Sequence, residues 1–222
     1  MAYWATESAG KIGTLCIIFL TGLVSAYVMP TPWEKVKEFL KIVLMLAILL
    51  SVFAYLNEHL IKPALAISRP SHSYILKQSN STAKIDSLYD LAEENRRQFF
   101  RGLIATDTLH FKTVDQRVLD HWVAEAGYSF PSGHSFNAFL LAGILAFKLG
   151  RSKERKIRLL AGIPLLWAGL VALSRVAMGA HSALDVSVGA GLGMILSHTL
   201  IAIPATRRLT QSSPQAEVPQ VE

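Results

Sequence analysis

Apolar residues are gathered into five runs, at about residues 12–29, 39–61, 135–149, 157–173 and 184–203. The first run carries no charge, and the second carries Lys41 and Glu58 only near its ends. About 20 apolar residues in a helix cross the hydrocarbon core of a bilayer, so each run predicts a transmembrane helix. The run at 135–149 is short for a crossing, but Lys148 at its end can snorkel to the interface. Between the second and third runs lies a polar stretch with a weaker pattern. Ile85, Leu88, Leu91, Ala92, Phe99 and Leu103 recur partly at helical spacing, as do Val118, Leu119, Trp122 and Val123. Two interfacial helices are predicted there, over 85–103 and 114–126, either covering the helix ends or touching a lipid substrate. Residues 206–222 are polar, rich in Gln, Ser and Pro, and predict a disordered tail. The expected fold is all-α: a polytopic membrane bundle of about five helices forming one domain over 1–205, which includes an α-helical loop at 71–130.

Composition agrees with that class. Of 222 residues, 51% are apolar and 17% charged, where a soluble domain averages about a quarter charged. The net charge of +6 says less than its placement. Residues 71–130 carry seven Lys/Arg against eight Asp/Glu, which leaves +7 in short stretches beside the apolar runs. Such placement reads as membrane topology, and no nucleic-acid partner is expected. Residues 148–158 hold six basic residues and one acidic, so that side is expected to be cytoplasmic. Lys35, Lys37 and Lys41, and Arg207 and Arg208, fall on the same side by counting turns. The amino terminus and the 71–130 loop are then outside, in the periplasm of a bacterial inner membrane. The single cysteine, Cys16, excludes an intrachain disulfide and an all-cysteine metal site. Val24-Ser25-Ala26 could serve as a signal-peptide cleavage site. Cleavage there would put Lys62 on the opposite face from His134 and His181, so a retained first helix is expected.

Candidate chemistry sits at the ends of the apolar runs. His181 and Asp185 are four apart, one face of a helix. The carboxylate can fix the histidine tautomer and leave the other ring nitrogen free as a nucleophile. Arg175 can clamp two phosphate oxygens, and Gly179 permits a turn between helices. Ser174 either donates to a phosphate oxygen or caps. Pro131-Ser132-Gly133-His134 opens the third run with good helix-starting residues, whose N–H groups would point at an anion. His134 would stand near the leaving oxygen as a proton donor. Lys62 and Arg69 are seven apart, roughly one helical face, with Pro63 predicting a short new helix. Taken singly, each has a plain alternative: a stabilising His–Asp pair, an N-cap, basic residues on headgroups. His198 reads as a packed polar residue, and His72, His110 and His121 as surface residues.

Together, Lys62-x6-Arg69-Pro70, Pro131-Ser132-Gly133-His134 and Ser174-Arg175-x5-His181-x3-Asp185 closely resemble the signature of the type 2 phosphatidic acid phosphatase (PAP2) family, which also includes vanadium haloperoxidases and glucose-6-phosphatase. The stretch His121-Trp122…Glu125-Ala126-Gly127 leading into Phe130 looks most like the bacterial phosphatidylglycerophosphatase branch. Members of that branch typically have six spans. The pattern here gives five, without the first, so a substrate groove formed by that helix is in doubt.

The resemblance implies a PAP2/haloperoxidase-like helical core and hydrolysis of a lipid phosphate or prenyl diphosphate with no metal or other cofactor. It implies that Lys62, Arg69, Arg175 and the amides from Ser132 and Gly133 to His134 hold the phosphate, that His181 attacks to form a phosphohistidine, that Asp185 stabilises the cation, and that His134 protonates the leaving group and then activates water. The implied substrates are phosphatidylglycerol phosphate, phosphatidic acid and undecaprenyl diphosphate, met at the bilayer. Drawing lipid chains into water costs ~0.8 kcal/mol per CH₂, so substrate is expected to arrive sideways between helices, with Phe99, Phe100 and Trp122 as lid contacts. A phosphotransferase of the same fold shares the signature, and a non-catalytic lipid-binding membrane protein is the remaining alternative. Oligomeric state is not indicated.

Overall fold

A computed structural model describes residues 1–107 and 109–202, and among these every regular element is helical. α1 (Ala2–Glu7) and α2 (Lys11–Tyr27) lead into α3 (Pro32–Leu56). α3 starts where the sequence supplies a cap: the Thr31 hydroxyl accepts from the Glu34 N–H, and Pro32 stands in the first turn. A π turn (Asn57–Ile61) then carries the helix into α4 (Lys62–Leu65), 34 residues without a break from Pro32. Ala66 is left-handed, with φ 49°, and ends it. Arg69 is extended and precedes α5 (Pro70–Gln78). The expectation that Lys62 and Arg69 share a helical face is therefore corrected: Lys62 lies in the last turn of the helix and Arg69 in the extended segment beyond its end at Ala66. The short new helix expected at Lys62 is instead the last α-helical turn of this continuous helix, set off from α3 only by the π turn.

α5, α6 (Ile85–Tyr89), α7 (Glu93–Thr106) and α8 (Gln116–Ala124) make a helical cap. The single helix expected over 85–103 is two helices, broken at residues 90–92. The carbonyls freed there are taken by the buried guanidinium of Arg96, which donates to Leu88 (3.0 Å), Tyr89 (2.9 Å), Leu91 (2.8 Å) and, across the cap, Ala126 (2.5 Å). Ile75, Leu88, Phe100, Phe111, Leu119 and Trp122 form an apolar core inside the cap.

α9 (Gly133–Gly150) is the central helix, packed against α2, α11 (Ile163–Ala177) and α12 (Ala183–Ala202), with α3 on α2 and reaching α9 through Phe53 stacked on Phe136, and α10 (Arg155–Leu159) leading into α11. Ile18, Ile42, Leu46, Leu140, Leu141, Ile144 and Leu200 pack between these helices. Leu44, Ile48, Leu166, Leu170 and Ile195 face outward, as a lipid-facing surface requires. Three of the five expected spans are long and apolar enough to cross a bilayer: Pro32–Leu65, Arg155–Ala177 and Ala183–Ala202. α2 is apolar but has 17 residues, and α9 has 18 with His134, Ser135 and Asn137 in its first turns.

The end of α4, the start of α9, the end of α11 and the start of α12 all meet beneath the cap. At the opposite end Glu38 pairs with Lys41 and lies 3.8 Å from Lys148. Arg207, Arg208 and the tail at 206–222 lie outside the described residues.

Candidate active site

Close packing of α12 on α9 sets the site. Asp185, Gly189, Gly193 and Ser197 form a buried stripe at four-residue spacing. A Cβ at Gly189 would run into the Ser132 carbonyl, and one at Gly193 into the Phe136 carbonyl. Small residues thus let two backbones touch, and the Ser132 N–H donates to the Asp185 carbonyl at 3.0 Å. Asp185 itself is held by a reciprocal cap. Its N–H donates to the Ser182 hydroxyl at 3.2 Å, and its Oδ2 accepts from the Ser182 N–H at 2.8 Å.

Gly179, at φ 67°, turns the chain between α11 and α12, and the His181 N–H donates to the Arg175 carbonyl at 3.3 Å. His181 is buried. Its Nδ1 lies 3.2 Å from the Ser129 hydroxyl and 3.4 Å from Asp185 Oδ2, while its Nε2 lies 3.2 Å from Arg69 Nη1. Ser129 also donates to Asp185 Oδ2. Burial, reinforced by the Arg69 and Arg175 charges, outweighs the Asp185 hydrogen bond and lowers the His181 pKa to about 3. The ring is therefore neutral at pH 7. With Nδ1–H toward the carboxylate, the lone pair on Nε2 faces the cavity and Arg69.

Arg69 donates from Nε to Gly127 O (2.9 Å) and from Nη1 to Ala180 O (3.1 Å) and Glu125 Oε2 (2.6 Å). Arg175 donates from Nη2 to the same Glu125 oxygen at 2.5 Å, and its Nε is buried without a partner. Burial alone would raise the Glu125 pKa, but Arg69 and Arg175 hold its carboxyl well below the usual carboxylate range. Lys62 is buried with its Nζ 2.5 Å from Glu58 Oε1. Lys62, Arg69, Glu125, His134 and His181 line one cavity of about 610 Å³ that continues between α2 and α3 past Leu15 and Leu50.

Several sequence expectations change in detail. Both polar groups of Ser132 are engaged, the N–H on Asp185 and the hydroxyl as the α9 cap on Ser135, so the amides of the half-buried Gly133 and His134 are the ones left at the helix start. Ser174 anchors α1: it donates to Val171 O at 2.6 Å and pairs with Thr6 at 2.7 Å. Phe99, Phe100 and Trp122 do not line the cavity that holds His181; Trp122 lines a second cavity of about 610 Å³ with Tyr74 and Met178. Phe100 and Trp122 are buried in the cap core with Phe99 packed against it, and Trp122 donates from its indole to Met178 O at 2.6 Å.

His121 is not a surface residue: its Nε2 lies 2.7 Å from Arg175 Nη1 and 3.3 Å from Glu125 Oε1. His72 is fully buried, with Nδ1 2.7 Å from the Tyr89 hydroxyl, and burial, with Arg69 nearby, lowers its pKa to about 3. Tyr89 in turn accepts the Arg69 N–H at 3.0 Å, so this buried pair fixes the Arg69 backbone. His110 is exposed, as expected, but His198 is exposed rather than packed, its Nδ1 on Met194 O. The sequence reading missed Ser129, Glu125 and His121 as site residues. His121 and Glu125 repeat the four-residue His–carboxylate spacing of His181 and Asp185, a signal that could have found them.

Phosphatidylglycerophosphatase B of Haemophilus influenzae is 28% identical over 138 residues, 60% of this chain and 54% of that protein. The Escherichia coli K12 protein of the same name is 27% identical over 137 residues, 62% of this chain and 50% of that one. The Bacillus subtilis 168 protein of that name is 40% identical over 117 residues, 45% of this chain and 56% of that one. The chain thus spans about half the length of the curated relatives it matches. The model of the PAP2 superfamily matches residues 39–209, most of the sequence and every segment that meets beneath the cap, and the chain belongs to that superfamily.

Proposed function

We propose that this protein is an integral membrane lipid phosphatase that cleaves lipid phosphate monoesters or prenyl diphosphates through a phosphohistidine. One observation carries the reading: a neutral, buried His181, tied at Nδ1 to Asp185 and Ser129, presents Nε2 3.2 Å from Arg69 in a cavity it shares with Lys62 and His134. Lys62, Arg69 and Arg175 with the Gly133 and His134 amides take the phosphate oxygens, and the donor left open on Arg175 Nε is filled. Glu125 bridges the two guanidinium groups that this phosphate needs, so substrate competes with its carboxylate.

The Nε2 lone pair attacks phosphorus in line as the phosphorus–oxygen bond to the lipid breaks. His134 must enter this step as the imidazolium, its extra proton taken up with the anionic substrate; it gives that proton to the leaving oxygen and is left neutral. A water then loses a proton to His134, attacks phosphorus and displaces His181, giving inorganic phosphate. Asp185 stabilises the positive ring in between. The charges that stabilise the transferring group are all side chains of this chain, so no metal step is invoked. Phosphatidylglycerol phosphate, phosphatidic acid and undecaprenyl diphosphate are the proposed substrates, handled at the periplasmic face of a bacterial inner membrane. One domain over 1–205 carries the activity.

The test is phosphate release from these three lipids by purified protein in detergent with excess chelator. Turnover should persist in chelator, and rapid acid quenching should trap acid-labile phosphate on wild type but not on His181→Ala. A His181→Ala enzyme retaining more than a few per cent of activity would remove the nucleophile assignment. Activity lost in chelator and restored by magnesium would overturn the metal-free mechanism.

A further inference from the structure

Two side-chain amides in the cavity wall take no part in the chemistry above. Asn57 is 1% exposed, and its Oδ1 is buried with no hydrogen-bond partner. The Oδ1 of Asn137 is also buried without a partner. Both residues line the cavity that holds Lys62, His134 and His181. A buried amide oxygen without a donor is unfavourable, and more so at the depth of spanning helices, where water is scarce.

Local structure aims both residues inward. Asn137 follows His134 by three residues on α9, so it lies on nearly the same face one turn deeper. Asn57 opens the π turn, which closes with the Lys62 N–H donating to the Asn57 carbonyl. On an α-helix a five-residue step would separate their faces by roughly 140°. The wider turn removes most of that angle, and Asn57 and Lys62 are buried while Glu58, His59 and Leu60 between them are exposed. The Asn57 amide also lies 3.7 Å from where a side chain on Gly133 would begin, so it stands against the start of α9.

We propose that Asn57 and Asn137 form an amide subsite that accepts hydrogen bonds from a hydroxyl on the leaving-group side of the substrate. The inference rests on the phosphatase reading and narrows its substrate class. A phosphate held by Lys62, Arg69 and Arg175 directs its ester oxygen, and the carbons beyond it, toward the bilayer and these amides. Carboxamide oxygens accept, so the group that satisfies them must donate. A phosphorylated glycerol headgroup carries a free secondary hydroxyl next to the cleaved ester. The glycerol of phosphatidic acid is fully esterified, and a prenyl diphosphate has no hydroxyl. The subsite therefore selects polyol-phosphate headgroups, and phosphatidylglycerol phosphate among the three proposed lipids.

The test compares phosphatidylglycerol phosphate with its analogue lacking the secondary hydroxyl, propanediol replacing the headgroup glycerol, in detergent micelles. Wild type should favour the hydroxylated lipid by ~10- to 100-fold in kcat/KM, because a site built to bond a hydroxyl rejects the analogue without it. In Asn57→Leu, Asn137→Leu and their combination the ratio should fall toward one. In Asn137→Ser, which keeps an acceptor, it should fall less. The wild-type comparison requires no variant to fold, and a wild type that treats both lipids alike overturns the subsite. So does a wild-type ratio preserved in the Leu variants. Phosphate release from neither lipid nor phosphatidic acid would overturn the phosphatase reading itself, and the subsite with it.

Discussion

Ser129 touches both members of the site's central pair, the ring of His181 and the carboxylate of Asp185. Its own N–H donates to Ile67 O at 2.8 Å, which ties the pair to the strand of chain that presents Arg69. Ser129→Ala should lower kcat by ~10- to 100-fold with KM changed less than about threefold, since it removes orientation of the nucleophile and leaves the phosphate ligands in place. Steady-state kinetics on one lipid phosphate checks this, and a rise in KM alone would show Ser129 to be a substrate contact instead. Residues of this kind mark the limit of what the sequence discloses. His181, Asp185, Arg175, Arg69, Lys62 and His134 stand in dense local patterns whose spacing has chemical meaning. Ser129 takes its place through a partner 56 residues away, a contact that no local spacing reports, whereas His121 and Glu125 reach Arg175 across 54 and 50 residues and only their own four-residue spacing hints at them.

At the scale of elements, each of the five apolar runs falls on a helix, and three of those helices are long and apolar enough to cross a bilayer, because a spanning helix has a simple signature of length and hydropathy. The runs did not disclose how α12 meets α9, although that contact positions Asp185 against Ser132. Gly193 and Gly191 lie two residues apart on α12 and differ completely in surroundings. A Cβ at Gly193 would collide with α9 backbone, whereas one at Gly191 would meet nothing within 4 Å. Gly193→Val should therefore destabilise by ~3 kcal/mol or more and separate the catalytic ends of the two helices. Gly191→Ala should gain ~0.5–1 kcal/mol from helix propensity at no packing cost. Thermal unfolding in detergent, with activity measured alongside, reads both. Equal effects at the two positions would mean that the stripe does not carry the helix contact. The π turn and the left-handed helix end at Ala66 were equally hidden. Both depend on which side chains must face the cavity, and the local pattern of Asn57–Leu65 is compatible with an ordinary helix ending at Pro63.

Across the whole molecule charge is segregated along the bundle axis. Lys35, Lys37, Lys41 and the six basic residues of 148–158 gather at the end where α3 begins and α9 finishes, while the catalytic segments and the near-neutral cap occupy the other. Part of this was readable as a bias in short loops, but the structure adds that two separate clusters share one end, through Glu38 between Lys41 and Lys148. Positive residues in short loops remain cytoplasmic during insertion, so the cap and the cavity mouth should face outward. Thr82 is exposed in the cap and Lys153 is exposed in the turn between α9 and α10, which makes them reporters for the two ends. In a Cys16→Ser background, Thr82→Cys should react with an impermeant maleimide on intact spheroplasts, and Lys153→Cys only after the membrane is permeabilised. The reverse pattern would put the phosphate site in the cytoplasm. Substrate would then come from the inner leaflet, and hydrolysis of a diphosphate carrier on the outer face could not be this protein's task. The expected pattern leaves the lipid chains in the outer leaflet while the phosphate reaches His181 at headgroup depth. That geometry costs no transfer of acyl carbon into water, whereas drawing out even ten methylenes would cost ~8 kcal/mol.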